Sequence, residues 1–233
     1  MDNKAAIVII IALILVGLLL IISVLKFLNI KINFTTKFIA RTAVFAALSV
    51  ILYTVPVLKF KVPFFPPFLE IHLDEVPALI AGFAYGPLSG SLVIIVKTII
   101  KLPLTSTAGV GELADLIYSL AFIIPAALIY KHHRNIKGAF ISLLTSSIIQ
   151  AAVASIVTAF IMLDFYVFMM PGLTMESILK MCQAINPNIT SLGWTFVLFI
   201  GLPFNLFKDA IVIVITFILY KHTHRLIDRI GKR

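Results

Sequence analysis

Three lysines, an asparagine and a loop crowded with proline and phenylalanine carry most of the chemistry in this sequence. Lys208 stands in a long apolar stretch, beside Asp209 and three residues after Asn205. Positions i and i+3 of a helix share a face, whereas neighbours diverge. Asn205 and Lys208 therefore point the same way, and a Lys208–Asp209 pair, the structural alternative, has poor geometry. Ionisable groups within apolar spans are costly and commonly functional. An amide offers a donor and an acceptor and an ammonium three donors, a set suited to a polar heterocycle lining a cavity. Pro203, just upstream, can open the helix locally. Lys97 and Lys101 lie one helical turn apart in another apolar stretch. The loop from Phe64 to Glu75 is stiffened by Pro66 and Pro67 and carries Phe64, Phe65 and Phe68. Such a loop suits a lid over a planar ligand or an aromatic belt at a membrane interface.

Other chemistries lack their context. Gly109-Val110-Gly111-Glu112-Leu113-Ala114 fits the dinucleotide pattern G-x-G-x-x-A, but a loop precedes it where that pattern needs a strand. No G-x-x-x-x-G-K-[ST] is present to cradle ATP phosphates. His132, His133, His222 and His224 sit in basic segments and read as solvated interfacial side chains rather than metal ligands. No nucleophile triad is evident, which disfavours an intramembrane enzyme. Cys182 is the single cysteine, so neither an intrachain disulfide nor a cysteine-built metal site is expected. Gly82, Gly86 and Gly90 recur every four residues, as do Ala43 and Ala47. Small residues at that spacing let backbones approach closely in lipid. The glycines fit packing within the monomer; the alanines fit either such packing or a docking face for a partner subunit.

The elements that position these residues are membrane helices. Of 233 residues, 61% are hydrophobic and 12% charged, about half the charge of an ordinary soluble domain, and mean hydropathy is +1.12. Apolar stretches at 5–25, 38–58, 76–85, 88–102, 112–130, 138–163 and 195–220 predict seven spans in one domain. The first lacks a small-residue cleavage site and is followed by Lys26, so it reads as a retained helix. The third and fourth each fall short of the ~20 residues of a full span and read as a bent pair around Gly86-Pro87. A polar loop with Pro171, Gly172, Asn186, Pro187 and Asn188 precedes the last span.

Alternate connecting segments, Lys26 to Arg41, Lys131 to Lys137, and Lys221 to Arg233, carry more positive charge than the whole chain's net +9, and the rest of the chain is slightly negative. The positive-inside rule then puts the N-terminus outside and the C-terminus in the cytoplasm. The basic charge reports topology, with anionic membrane lipid as a secondary partner. Nucleic-acid binding is not expected, because no soluble module exists to carry it.

Taken in order, several segments resemble the riboflavin-specific substrate-binding (S) component of energy-coupling factor (ECF) transporters. They are Pro63 to Ile71, Glu75 to Leu79, Gly82 to Leu88, Val96-Lys97-Thr98, Gly109 to Leu113 and Pro203 to Lys208, within residues 36–226. The resemblance implies an all-α integral membrane protein with a six-helix core (31–233). One extra N-terminal transmembrane helix (1–30), read from the apolar stretch, is a departure from the family's six-helix plan. The resemblance implies a multi-pass protein of the bacterial cell membrane that captures riboflavin, or a close flavin, on the outer face. The flavin would be transported substrate, not cofactor. A transmembrane coupling subunit and two cytoplasmic ATPase subunits would complete the importer, so this chain would not itself be an enzyme.

Carried onto this sequence, the family's site residues are Asn205 and Lys208 for the flavin and Phe65, Phe68, Leu69 and Ile71 in the closing loop. Lys97 and Glu112, within the matching motifs, join the ligand-binding set, and Ala43 and Ala47 match the docking motif for the coupling subunit. Thr158 stands where the family often has Asn, and Asp115 where it also often has Asn. Asp115 is expected to pair with Lys97 or Lys101, or to disfavour a phosphorylated flavin. An S component for another vitamin and a non-transport membrane scaffold remain the alternatives.

Overall fold

The computed structural model describes residues 35–231, with side chains as far as His224. The helix expected over 5–25 and the last basic residues lie outside that range. Seven helices make up the described part. They are α1 (Thr36–Thr54), α2 (Glu75–Tyr85), α3 (Pro87–Lys101), α4 (Val110–His132), α5 (Ile136–Met169), α6 (Met175–Gln183) and α7 (Trp194–His224, its backbone running on to Gly231). Five are long and apolar enough to cross a membrane. With the 11-residue α2 they form the expected six-helix core. Exposed isoleucine, leucine, valine and phenylalanine side chains cover the outer faces of α1, α5 and α7, as helices solvated by lipid require.

Local chemistry sets the boundaries. Thr35 caps α1, its hydroxyl accepting from the Phe38 amide at 3.2 Å. The helix ends at Thr54 rather than at 58, because Pro56 disfavours helical backbone in the residue before it and Val55 is extended. Gly86, at φ +95° and ψ 172°, occupies backbone territory closed to other residues. Pro87 follows as a first-turn proline of α3, so α2 and α3 form a hairpin. Its two arms touch through Gly82 and Gly90: a Cβ on Gly90 would lie 2.6 Å from Ile123 Cγ2, 2.8 Å from the Ala78 carbonyl and 3.2 Å from Gly82 Cα. The glycine repeat is thus used for packing inside the chain. Between α4 and α5 the turn is equally tight. Asn135 accepts from the Gly138 amide at 2.7 Å, and a Cβ on Gly138 would come within 1.9 Å of the His133 carbonyl oxygen.

The seventh helix, α6, is amphipathic and starts within a stretch expected to be loop. A reciprocal box between Thr174 and Ser177 begins it, and Ile178 and Cys182 bury its apolar face against Phe196 and Ile200. One π-helical turn interrupts α5 at Thr158–Met162 and another lies early in α7 at Val197–Gly201. Each lies at or just before an expected site residue.

The two ends of the bundle differ in chemistry. At one end Phe83, Tyr130 and Tyr220 stack, with the two tyrosine hydroxyls 2.9 Å apart, and Arg41 lies over the Tyr85 ring at 5.4 Å. The basic turn 131–137 belongs to this end. Buried charges fill the other. Replacing Gly90 by Ala should push the α2–α3 hairpin away from α4 and cost about 1–3 kcal/mol. The check is thermal unfolding in detergent, with a midpoint clearly below that of the native chain.

Candidate ligand-binding site

Two adjacent carboxylates at the start of α2, Asp74 and Glu75, are fully buried, and each receives a lysine from another helix. Lys97 of α3, itself fully buried, donates to Asp74 and to Asp115 of α4. His72 Nδ1 lies 2.7 Å from Asp74 Oδ1 and 3.9 Å from Asp115 Oδ1. The Tyr53 ring, from the last turn of α1, covers the Lys97 ammonium at 4.3 Å and meets the His72 ring edge-on at 4.9 Å. Asp115 thus resolves to Lys97; Lys101 instead donates to the Leu104 carbonyl at 3.3 Å. His72, Asp74 and Asp115 are close enough together to hold a metal ion, but the Lys97 ammonium supplies the cation that their oxygens need. Nearby, burial and then Lys101 lower the Lys59 ammonium from its ordinary value.

The second lysine is Lys208. Its ammonium donates to Glu75 Oε1 at 2.8 Å, and the Ser119 hydroxyl of α4 donates to the same oxygen at 3.1 Å. The partner is therefore not the neighbouring Asp209, as helix geometry predicts. Asp209 is fully buried and neither of its oxygens accepts a hydrogen bond from a described residue. Asn205, one turn before Lys208, donates to the Gly201 carbonyl at 2.9 Å and accepts from Gln150 Nε2 of α5 at 3.4 Å. Asn205 and Lys208 are thus brought to the same polar end, both buried, each held by protein partners.

Thr158, in the π-helical turn of α5, lies 2.7 Å from the Tyr118 hydroxyl and donates to the Ala154 carbonyl at 2.6 Å. Tyr118 sits between Asp115 and Ser119 on α4, so Thr158 joins the same end. Glu112 ties down the α3–α4 loop, accepting from Thr105 at 2.6 Å and Thr107 at 3.1 Å. That loop needs the restraint, because Ala108 and Gly109 both have positive φ.

The proline–phenylalanine loop is closed at its base by paired backbone bonds between Phe60 and Ile71, and Ile71 is fully buried. Phe65 reaches Phe204 at 5.2 Å and Phe207 at 6.0 Å, and Phe64 reaches Phe207 at 5.7 Å. The loop is therefore seated on the turn of α7 that carries Asn205 and Lys208. Leu69 packs against the cluster under α6, whereas Phe68 remains 38% exposed. Ala43 and Ala47 lie together on the exposed face of α1, so they do not pack against the other described residues.

Tyr53, His72, Glu75, Tyr118, Ser119 and Gln150 complete the cluster and were not singled out from sequence as site residues. Glu75 lies 133 positions from Lys208, and no spacing rule links residues so far apart. The one local signal was the run of acidic residues entering α2.

Buried donors and acceptors beneath an aromatic loop, at one end of a lipid-facing bundle, define a membrane protein that holds a solute. The chain belongs to the family described as the ECF transporter, substrate-specific component, which matches residues 37–220. Among its relatives, the riboflavin transporter FmnP of Bacillus subtilis (strain 168) is 30% identical over 187 residues, 78% of this chain and 90% of that protein. The riboflavin transporter RibU of Staphylococcus aureus (strain TCH60) is 27% identical over 190 residues, 82% of this chain and 93% of that protein. A solved structure, described as the S component of a bacterial ECF transporter, superposes with a TM-score of 0.63 at 25% identity. It covers 82% of this chain and 96% of that one. This is a multi-pass membrane protein and a substrate-binding subunit.

The two buried carboxylates Glu75 and Asp209 should respond oppositely to neutralisation. Glu75→Gln strands the Lys208 ammonium and should destabilise by about 3–5 kcal/mol. Asp209→Asn replaces a buried carboxyl that has no hydrogen-bond partner among the described residues, and should leave the unfolding midpoint unchanged or higher. Parallel thermal melts in one detergent make the comparison.

Proposed function

We propose that this chain captures riboflavin at the outer face of the membrane and surrenders it inward only in complex with a coupling subunit and two ATPase subunits. The observation that carries the reading is the seating of the Phe64–Phe65 loop on the α7 turn that bears Asn205 and Lys208. The names of the two relatives support the ligand. The chemistry agrees with them: an isoalloxazine ring is planar, with carbonyl and ring-nitrogen acceptors and one imide donor. An amide and an ammonium match its polar edge, and aromatic side chains match its faces.

Orientation follows from charge. Lys131, Arg134, Lys137 and Lys221 gather at the end opposite the site, so the positive-inside rule puts them in the cytoplasm and the site outside. On this reading the described chain enters α1 from the cytoplasm, its C-terminus is cytoplasmic, and an N-terminal helix over 5–25 would start outside. Lys208 and Asn205 bind the ring by exchanging part of their present bonding for bonds to the ligand. Thr158 and its partner Tyr118 supply further hydroxyls. Lys97 and Glu112 act by holding the floor and the α3–α4 loop in place. The exposed Ala43/Ala47 face suits close approach of a partner helix. The chain performs no covalent chemistry on this reading, and the flavin is cargo rather than cofactor.

Quenching of riboflavin fluorescence by the detergent-purified chain tests the ligand. Saturable quenching is expected, and its absence from well-folded protein sinks the flavin assignment. Asn205→Ala and Lys208→Ala should each weaken binding by about 1–3 kcal/mol, the cost of leaving a buried partner unsatisfied. Native affinity in both would remove them from the site. Ala43→Leu with Ala47→Leu should leave flavin binding intact while abolishing uptake by cells that carry the coupling and ATPase subunits. Undiminished uptake would place the docking face elsewhere.

A further inference from the structure

The basic end of the bundle contains a cavity that the capture of a solute at the opposite end does not use. Its volume is about 620 Å³, within the roughly 300–1,000 Å³ of small-molecule sites. The last turn of α4, the α4–α5 turn and the start of α5 form most of it, and His224 of α7 closes one side. Arg134, Lys137, His133 and His224 line it, together with Ile129 and Ile141, and among the described residues no acidic side chain does. Arg134 Nη1 is buried yet finds no hydrogen-bond acceptor among the described residues. A guanidinium nitrogen withdrawn from water without an acceptor is a costly arrangement, and a phosphate oxygen is the acceptor that best matches its forked geometry. The positive end of the α5 dipole points at the same place.

The other half of the lining is aliphatic, and Ile141 continues onto the exposed face of α5 at 56% exposure. A free phosphate would leave that wall bare. An amphiphile would use both halves, its phosphate on Arg134 and Lys137 and its chain along the isoleucines. We infer that this cavity is a binding site for the phosphate headgroup of an anionic phospholipid of the cytoplasmic leaflet. The site tethers the α4–α5 turn to the membrane surface on the side where the chain must meet its partners.

Native mass spectrometry of the detergent-purified chain, titrated with dioleoylphosphatidylglycerol or dioleoylphosphatidylcholine, tests this. The phosphatidylglycerol adduct should form preferentially. Arg134→Ala with Lys137→Ala should weaken it about 30-fold, from the two lost cations. Arg134→Gln with Lys137→Gln, which keeps the length and polarity of the side chains, should do the same. Arg134→Lys with Lys137→Arg should retain preference. Circular dichroism and size-exclusion profiles matching the native chain establish that the variants are folded. Equal adducts with both lipids, or an unchanged phosphatidylglycerol affinity in the folded glutamine variant, would overturn the proposal. Saturation by millimolar inorganic phosphate that displaces phosphatidylglycerol would also overturn the lipid assignment, by making the site one for free phosphate.

Discussion

At the first residues of α2, Asp74 and Glu75 stand side by side out of water, and each takes a lysine from a different helix. Moving a charge into a low-dielectric interior costs several kcal/mol even after relaxation. Such groups persist only where their counter-charges are fixed within reach. Here that requirement sets the arrangement of the whole polar end. Lys97 brings α3 and, through Asp115, α4. Lys208 brings α7, and Ser119 adds a second bond from α4. The Ser49 hydroxyl donates to the Asp74 carbonyl at 2.6 Å, so α1 is held too. One short helix therefore organises four others by charge and hydrogen bonding. Area burial cannot do this in lipid, where apolar contact between helices carries little hydrophobic gain.

This constraint explains why α2 can be only 11 residues long. A full span would carry its N-terminus to the membrane surface, and Asp74 and Glu75 would be hydrated. Being short, the helix starts inside the bundle, and the loop before it must descend to reach that start. The Phe60–Ile71 bridge, the buried Ile71 and the ring contacts to Phe204 and Phe207 are the means of descent. The same loop that delivers the carboxylates thus roofs the lysine that one of them holds. Lid and floor are consecutive pieces of one chain segment, so movement of the loop is felt directly at Glu75.

The long apolar runs mark the spans because lipid leaves a hydrophobic stretch only one local conformation, a helix with its backbone bonds internal. Their errors are at the edges: Pro56 cuts α1 short, and α6 hides in a polar stretch whose one clear signal is the Thr174 cap. Within the site, helix spacing correctly turns Lys208 away from Asp209, because that is a question of local geometry. Which carboxylate replaces Asp209 is a question of which helices meet, and a separation of 133 residues leaves no local trace. For the same reason Asp115 is legible as a partner for Lys97 or Lys101, on the preceding helix, without a choice between them, whereas the caps by Tyr53 and His72 are not legible. The resemblance to a known family supplies the residue roles that spacing alone leaves open.

The two π-helical turns complete the logic of the polar end. A π turn inserts one extra residue, rotates the faces beyond it and leaves carbonyls with looser bonding. In α5 it begins at Thr158, where the side chain reaches the Tyr118 hydroxyl; in α7 it ends at Gly201, whose carbonyl accepts from Asn205. Gly201 also lets α7 approach α5 closely, since a Cβ there would fall 2.8 Å from that of Ser155. Both helices thus bend the rules of regular packing at the level where the polar residues stand and run as regular α-helix beyond it, α7 reaching the aromatic cluster of Phe83, Tyr130 and Tyr220. Irregular helix in a membrane is tolerated where it faces protein or a cavity rather than lipid. Five buried carboxylates, Asp74, Glu75, Glu112, Asp115 and Asp209, face two buried lysines at this level. On the proposed reading, that surplus favours an uncharged ring system over its phosphate ester. The ester's anionic group would have to enter a region whose cations are already committed.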